Sequence, residues 1–315
     1  MTEKCRICDS ENVASPIELR ETMFGTGEPF LYERCFECGC LQIVKQPTDI
    51  AKHYPNNYYS YAAGAGGLVD AVKRRTQILL SIHGPAWLFA GRDWWELGVR
   101  KSIRDMGLSR SARILDVGCG NGNLIASLAE VGFRSVLGAD PFIPHDIVHP
   151  NGARVLKCEA NEVEGQFEVV MMHHSLEHIW GQHEIVADVA RLVKSGGRCL
   201  IRIPTIDCWA WEEYGRDWIA LDPPRHFYLH SRASITRLLE SAGFQLDRIV
   251  DDGSLLQILG SEKIKRGQPL LNPKTGKTDY DEFLPQELIQ TASTRSRELN
   301  LAGCGDSIAV HARKS

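Results

Sequence analysis

The chain has 315 residues, 43% hydrophobic and 24% charged, with a formal net charge of −4, values ordinary for one large globular domain with appendages or for two domains. The acidic balance and the lack of a long basic run (Lys73-Arg74-Arg75 is the densest cluster) make nucleic acid an unexpected partner. No run of 18 apolar residues and no apolar N-terminal leader occur, so neither membrane insertion nor export is expected, and the expected location is cytoplasmic.

Ten cysteines are many for such a chain, and their spacing gives a reason. Cys5-Arg6-Ile7-Cys8 and Cys35-Phe36-Glu37-Cys38 are two C-x2-C knuckles. Together they can present four thiolates in a tetrahedron, which suits structural Zn2+. Between them Met23-Phe24-Gly25-Thr26-Gly27 reads as a glycine turn joining short strands, so residues 1–46 are read as a zinc ribbon. Cys40 is a spare thiol that could replace one ligand. A closed four-thiolate site has no open position for substrate, and a redox dithiol would need a different context. Cys119, Cys158, Cys199 and Cys208 are expected as free thiols.

Residues 47–110 read as a linker and a helical lead-in. Tyr54 to Tyr61 is rich in tyrosine and turn formers, read as packing between domains or as a tyrosine overhanging a site. Residues 68–83 and 93–107 carry apolar residues three and four apart, the spacing of a helix.

The organising stretch is Arg113 to Leu124. The apolar Ile114, Leu115 and Val117 lead through Asp116 into Gly118-Cys119-Gly120-Asn121-Gly122, and a helix pattern follows from Leu124 to Ala129. Alternate glycines permit φ > 0 and let backbone approach a ligand, while the free N–H groups of the helix start face it. A dinucleotide site would place its third glycine where Asn123 stands. Further segments that the resemblance drawn below implies as strands are Ser135–Asp140, Val155–Ala160, Phe167–His174 and Gly197–Pro204. After the third of these comes His173-His174-Ser175-Leu176-Glu177-His178, which spells H-x-x-E-H. A zinc protease carries that pattern inside a helix, whereas here it follows an apolar strand. Ile185–Val193 reads as a helix stopped by Lys194-Ser195-Gly196-Gly197. Loop 205–231 concentrates Trp209, Trp211, Tyr214 and Trp218, then Asp222-Pro223-Pro224-Arg225-His226. Its aromatic faces suit sugar rings or a base, or else plug a small core, and Arg225 suits a phosphate or carboxylate. A helix over Ser234–Gly243, a strand over Phe244–Val250, an insertion at 254–302 and a last strand over Ser307–Arg313 complete the chain.

D-x-G-x-G-x-G, with Asp140 closing the next strand, resembles the class I S-adenosylmethionine-dependent methyltransferases over roughly 105–253 and the last strand. The resemblance implies an α/β fold: a seven-stranded Rossmann-like methyltransferase sheet, its last strand antiparallel, in a catalytic domain over 111–315 behind the small N-terminal zinc ribbon. It implies S-adenosylmethionine as cofactor, S-adenosylhomocysteine as product, and cofactor contacts from Asp116, Gly118, Cys119, Gly120, Gly122, Asp140, Pro141, Glu159, Ala160 and His173. Asp140 would take the ribose hydroxyls, Glu159 would lie by the adenine, and the segment holding His173 and His174 would line the methionine end.

The His226 loop partly resembles the Tyr-x-Glu-His stretch of deoxysugar C-methyltransferases, which also begin with a four-cysteine zinc region. Arg225 stands where their Glu would be. His226 is therefore the leading base, with His174 and Glu177 next. The whole is most similar to zinc-ribbon methyltransferases of bacterial surface glycans, so the expected acceptor is a small molecule or sugar. RNA modification guided by the ribbon, or a non-catalytic cofactor-binding subunit, are the alternatives.

Overall fold

The computed structural model describes residues 4–54 and 101–315. Strands β1 (Ile17–Arg20), β2 (Pro29–Arg34) and β3 (Leu41–Ile43) form an antiparallel meander. Its β1–β2 turn uses Gly25 and Gly27 at φ +74° and +66°. Buried Glu21 organises that turn, accepting from the Phe24 and Thr26 amides at 2.9 Å each. The expected tyrosine strip and the helices at 68–83 and 93–100 lie outside the described residues, apart from Tyr54; residues 101–105 are helical.

The large sheet begins with β4 (Arg113–Val117), followed by the glycine turn and helix α1 (Asn123–Glu130). Then come β5 (Ser135–Ala139), the two-residue β6 (Ile147–Val148), β7 (Arg154–Leu156), β8 (Phe167–His173), α2 (Gln182–Leu192) and β9 (Val193–Pro204). Helix α3 (Trp209–Tyr214) starts the aromatic loop, and β10 (Tyr228–Leu229) ends it. The chain finishes with α4 (Arg232–Ser241), β11 (Phe244–Asp251), α5 (Leu256–Lys265), α6 (Tyr280–Phe283), α7 (Gln286–Leu301) and β12 (Ser307–Lys314).

The strand order is β11-β12-β9-β8-β4-β5-β7-β6. Strands β4, β5, β7, β8 and β9 run parallel, and β12 is antiparallel to both of its neighbours. Near-continuous apolar runs such as Val169-Val170-Met171-Met172 are fully buried, as a sheet covered on both faces requires. The sheet has eight strands among the described residues, not the expected seven. The extra one is β6, which pairs Ile147 and Val148 antiparallel with Val155 and Arg154 and covers the edge of β7.

The supposed stop signal after α2 is also corrected. The helix ends at Leu192, and Lys194-Ser195-Gly196-Gly197 lies within β9, at a register shift between Phe167 and Val169 of β8. Gly196 at φ +69° serves that irregularity rather than a helix cap.

The sequence ribbon does not close on itself. Its sheet order is β1-β2-β3-β10, with Tyr228 opposite Gln42 and Leu229 opposite Leu41. Arg6 fastens the joint: its Nε donates to the Tyr228 hydroxyl at 2.8 Å, and its guanidinium lies 4.3 Å from the Trp180 ring centre.

Candidate active site

Asp116 lies one residue before the end of β4, and the chain turns at Gly118, Gly120 and Gly122 with φ of +72°, +55° and +72°. Two of these positions also admit no side chain. A Cβ on Gly118 would lie 2.5 Å from Ser175 Cβ, and one on Gly122 would lie 2.4 Å from Val155 Cγ2. Ser175 itself is fixed by donating to the Val117 carbonyl at 3.0 Å. The glycine turn and the segment after β8 are therefore packed face to face at the carboxyl ends of the strands, where such sheets bind ligands.

Asp140 follows β5 and accepts from the Gly120 amide at 2.8 Å and the Phe142 amide at 2.9 Å. Pro141 is half-buried and Phe142 strongly exposed beside it. Glu159 is exposed at the mouth of β7, with its amide donating to Glu162 Oε2 at 2.8 Å, and Ala160 is buried beneath. Cys119 turns its sulfur inward, where a Cβ on Gly138 would stand at 2.4 Å, so Cys119 offers a ligand only backbone.

Two buried groups here lack partners. Asp116 Oδ1 makes no hydrogen bond, and burial, with Asp140 nearby, pushes the Asp116 carboxyl up to about 8. Both ring nitrogens of His173 are unpartnered, and burial, then the charges of Arg202 and His174, holds the imidazole neutral. An orphaned carboxylate, a cradle closed to side chains and a helix start fit a ligand with a cationic amino-acid end and a ribose, as S-adenosylmethionine has.

Beyond the glycine turn the carboxyl end of β8 gathers imidazoles. His174 stands at φ +50°, a conformation that costs a non-glycine residue about 1–3 kcal/mol and marks a built site. Its Nδ1 lies 3.3 Å from Oε1 of Glu177, which is wholly buried in the 3-10 turn Leu176–His178. That turn is not an α-helix, consistent with setting the zinc-protease pattern aside. Burial alone would raise the Glu177 carboxyl, but His174, His178 and His226 outweigh it and keep the group ionised. The His178 and His226 rings meet edge to face, with centroids 4.7 Å apart. His226 Nδ1 lies 2.7 Å from the Ala220 carbonyl and His178 Nδ1 lies 2.8 Å from the Arg225 carbonyl. A carbonyl only accepts, so each Nδ1 carries the proton and each Nε2 keeps its lone pair. Burial, then His226, lowers His178 to about 4, leaving it neutral at pH 7. Tyr54, at the edge of the tyrosine strip, brings its hydroxyl within 3.2 Å of His178 Nδ1. Sequence reasoning passed over His178 except as part of a rejected motif; the only signal was its place beside Glu177 at a strand mouth.

One expectation for the aromatic loop, an Arg225 open to an acceptor, is overturned, and for Trp218 and Tyr214 the core-plug alternative holds. Arg225 is wholly buried, with Nη2 2.9 Å from Glu21 Oε1, Nε 2.9 Å from Asp222 Oδ2 and Nη1 donating to the His53 carbonyl. It ties the ribbon turn to this loop and offers nothing to an acceptor's phosphate. Trp218 is buried too, donating from Nε1 to Asp306 Oδ2 at 3.2 Å, and Tyr214 is buried against Trp209. Only Trp209 and Trp211 are half-exposed.

At the other end of the ribbon the Cys5 and Cys38 sulfurs lie 3.6 Å apart and those of Cys8 and Cys35 3.5 Å apart. None of the ten cysteines is in a disulfide. Tetrahedral zinc with Zn–S of about 2.3 Å has an edge of about 3.8 Å, so the four thiols have the size and donor chemistry for that ion. Cys40 is not among them; its sulfur points to the Leu41 carbonyl at 3.7 Å.

Residues 96–249 match the family model described as a methyltransferase domain. The chain is 30% identical over 145 residues to a probable S-adenosylmethionine-dependent methyltransferase of Mycolicibacterium smegmatis, spanning 42% of this chain and 52% of that protein. It is 30% identical over 119 residues to the ubiquinone biosynthesis O-methyltransferase of Maricaulis maris, spanning 34% and 47%. The chain thus spans about half the length of the curated relatives it matches. Among solved structures, 1,6-didemethyltoxoflavin-N1-methyltransferase of Burkholderia thailandensis is similar at 15% identity and a TM-score of 0.42, covering 81% of this chain and 93% of that one. Over residues 96–249 the chain is thus similar to methyltransferase domains, and S-adenosylmethionine-dependent methyltransferases stand among its relatives there.

Proposed function

We propose that the chain transfers the methyl group of S-adenosylmethionine to an oxygen or carbon of a small-molecule or glycan acceptor, a surface-glycan sugar or its nucleotide precursor foremost. The supporting observation is the contact of Gly118 with Ser175, which sets the glycine turn beside the Glu177–His178–His226 group. Asp116 would take the ammonium of the cofactor, Asp140 the ribose hydroxyls through its remaining lone pairs, and Glu159 the adenine edge. Gly118, Cys119, Gly120 and Gly122 would supply close backbone, with Pro141, Ala160 and His173 completing the wall. The bound cofactor supplies an electrophilic methyl on a sulfonium. The protein's part is then to align the acceptor and remove its proton, and a positioned base contributes about 10²–10⁴ in rate.

His226 is the base in this reading. Its Nδ1–H is held by Ala220, its Nε2 is free to accept, and Asp222 Oδ2 at 3.9 Å stabilises the imidazolium that forms. His174 and Glu177 orient the group. Zinc in the Cys5, Cys8, Cys35 and Cys38 site would hold the ribbon, and through β10 the loop that carries His226.

The test is the purified full chain with S-adenosylmethionine against nucleotide sugars, glycan oligomers and phenolic quinone precursors, read as gain of one methyl by mass. Methylation of a sugar supports the reading. Methylation of phenols alone moves the acceptor to the chemistry named for the ubiquinone-pathway relatives. Homocysteine-analogue binding with no transfer to any acceptor favours the non-catalytic subunit.

A further inference from the structure

We infer that Glu177, His178 and His226 form a second metal site, for a divalent transition-metal ion of the zinc or cobalt kind, with coordination positions left open towards the acceptor. One donor atom from each residue lies within 4.8 Å of the other two. An ion about 2.1 Å from each would draw them closer together.

The surroundings are those of ligands. Both histidines hand their Nδ1–H to a backbone carbonyl, Arg225 at 2.8 Å and Ala220 at 2.7 Å, which leaves Nε2 as the donor on each. That second bond is what orients a metal-binding imidazole and fixes its tautomer. Glu177 is wholly buried, and the contact its carboxylate makes is with His174 Nδ1, 3.3 Å from Oε1. A buried carboxylate ringed by imidazoles and held by no guanidinium or ammonium is costly, and a cation relieves that cost. The nearby guanidinium of Arg225 does not do so, because Asp222 and Glu21 already hold it.

Two imidazoles and one carboxylate select a transition metal over Mg2+ or Ca2+, and three protein ligands leave at least one position vacant. This sets the site apart from the cysteine cluster, which is soft and closed. The lone pair on His226 Nε2 serves either as base or as ligand. If methyl transfer is as proposed, Glu177, His178 and His226 would hold the ion beside the acceptor, where it would supply Lewis acidity to an acceptor oxygen. The metal site itself stands independently of that reaction.

The experiment is cobalt titration of the full chain, with the ribbon's zinc retained, followed by absorption and equilibrium dialysis, with S-adenosylhomocysteine binding measured on the same samples. One further cobalt per chain is expected, with weak d–d bands and no thiolate charge-transfer band. Glu177→Gln and His226→Ala should each weaken it at least tenfold, on the order of known effects of ligand-shell changes, while analogue binding shows that they fold. No further cobalt in the wild type, cobalt with a thiolate band, or undiminished binding in both folded variants overturns the inference. Analogue binding without cobalt sinks the metal site alone; cobalt without analogue binding in the wild type sinks the methyltransferase reading alone.

Discussion

The Gly120 amide donates to Asp140 Oδ2 at 2.8 Å, so the acid after the second core strand holds the glycine turn after the first. Asp140→Ala removes a charged acceptor from the turn and, in the proposed site, from the ribose as well. Losing a hydrogen bond to a charged group costs about 1.5–3 kcal/mol, so affinity for S-adenosylhomocysteine should fall more than tenfold by calorimetric titration. Unchanged affinity would remove Asp140 from the cofactor site.

Arg225 separates the structural reading of its loop from the expected one. Arg225→Ala leaves Asp222 and Glu21 buried without their counter-ion, a loss of about 3–5 kcal/mol in unfolding free energy. Arg225→Lys should recover only part of this, because an ammonium cannot fork between two carboxylates. If instead stability holds in denaturant melts and only the acceptor KM rises, Arg225 is an acceptor anchor after all.

Metal removal tests the ribbon. Elemental analysis should find a zinc that Cys8→Ser loses. Because β10 pairs with β3, melting the ribbon should loosen the His226 loop, lowering turnover while homocysteine-analogue affinity is largely kept. Full turnover in the zinc-free ribbon would uncouple the two parts.

Asp116 gives a pH signature. Its folded carboxyl stands at about 8 against 3.8 for a free one, so the folded chain binds more protons across that window. Stability of the cofactor-free protein is therefore greatest below about pH 4 with respect to this group, and is lost as pH rises through 8. Thermal melts of Asp116→Asn should lack this slope. Asp306, raised to about 7 chiefly by burial, contributes with the same sign in both proteins and drops out of the difference. Parallel pH profiles for the two would show that Asp116 titrates normally.

What the sequence determined is local. Asp116 before alternating glycines dictates a strand, a left-handed turn and a helix start, because only glycine tolerates φ near +70° there and a Cβ has no room. The two C-x2-C knuckles likewise place each cysteine pair within one turn. The tertiary structure decided the rest, through contacts between residues remote in sequence. The β9 register shift absorbed a glycine pair that reads locally as a helix stop, and β6 added an edge strand too short to carry a pattern. Arg225 is a buried counter-ion because Glu21 of the ribbon turn arrives beside it, and His178 became a site residue because the loop after β9 folds His226 back onto it. No local propensity encodes those pairings. They follow from β10 completing the ribbon sheet and from the burial of charges that must then find one another.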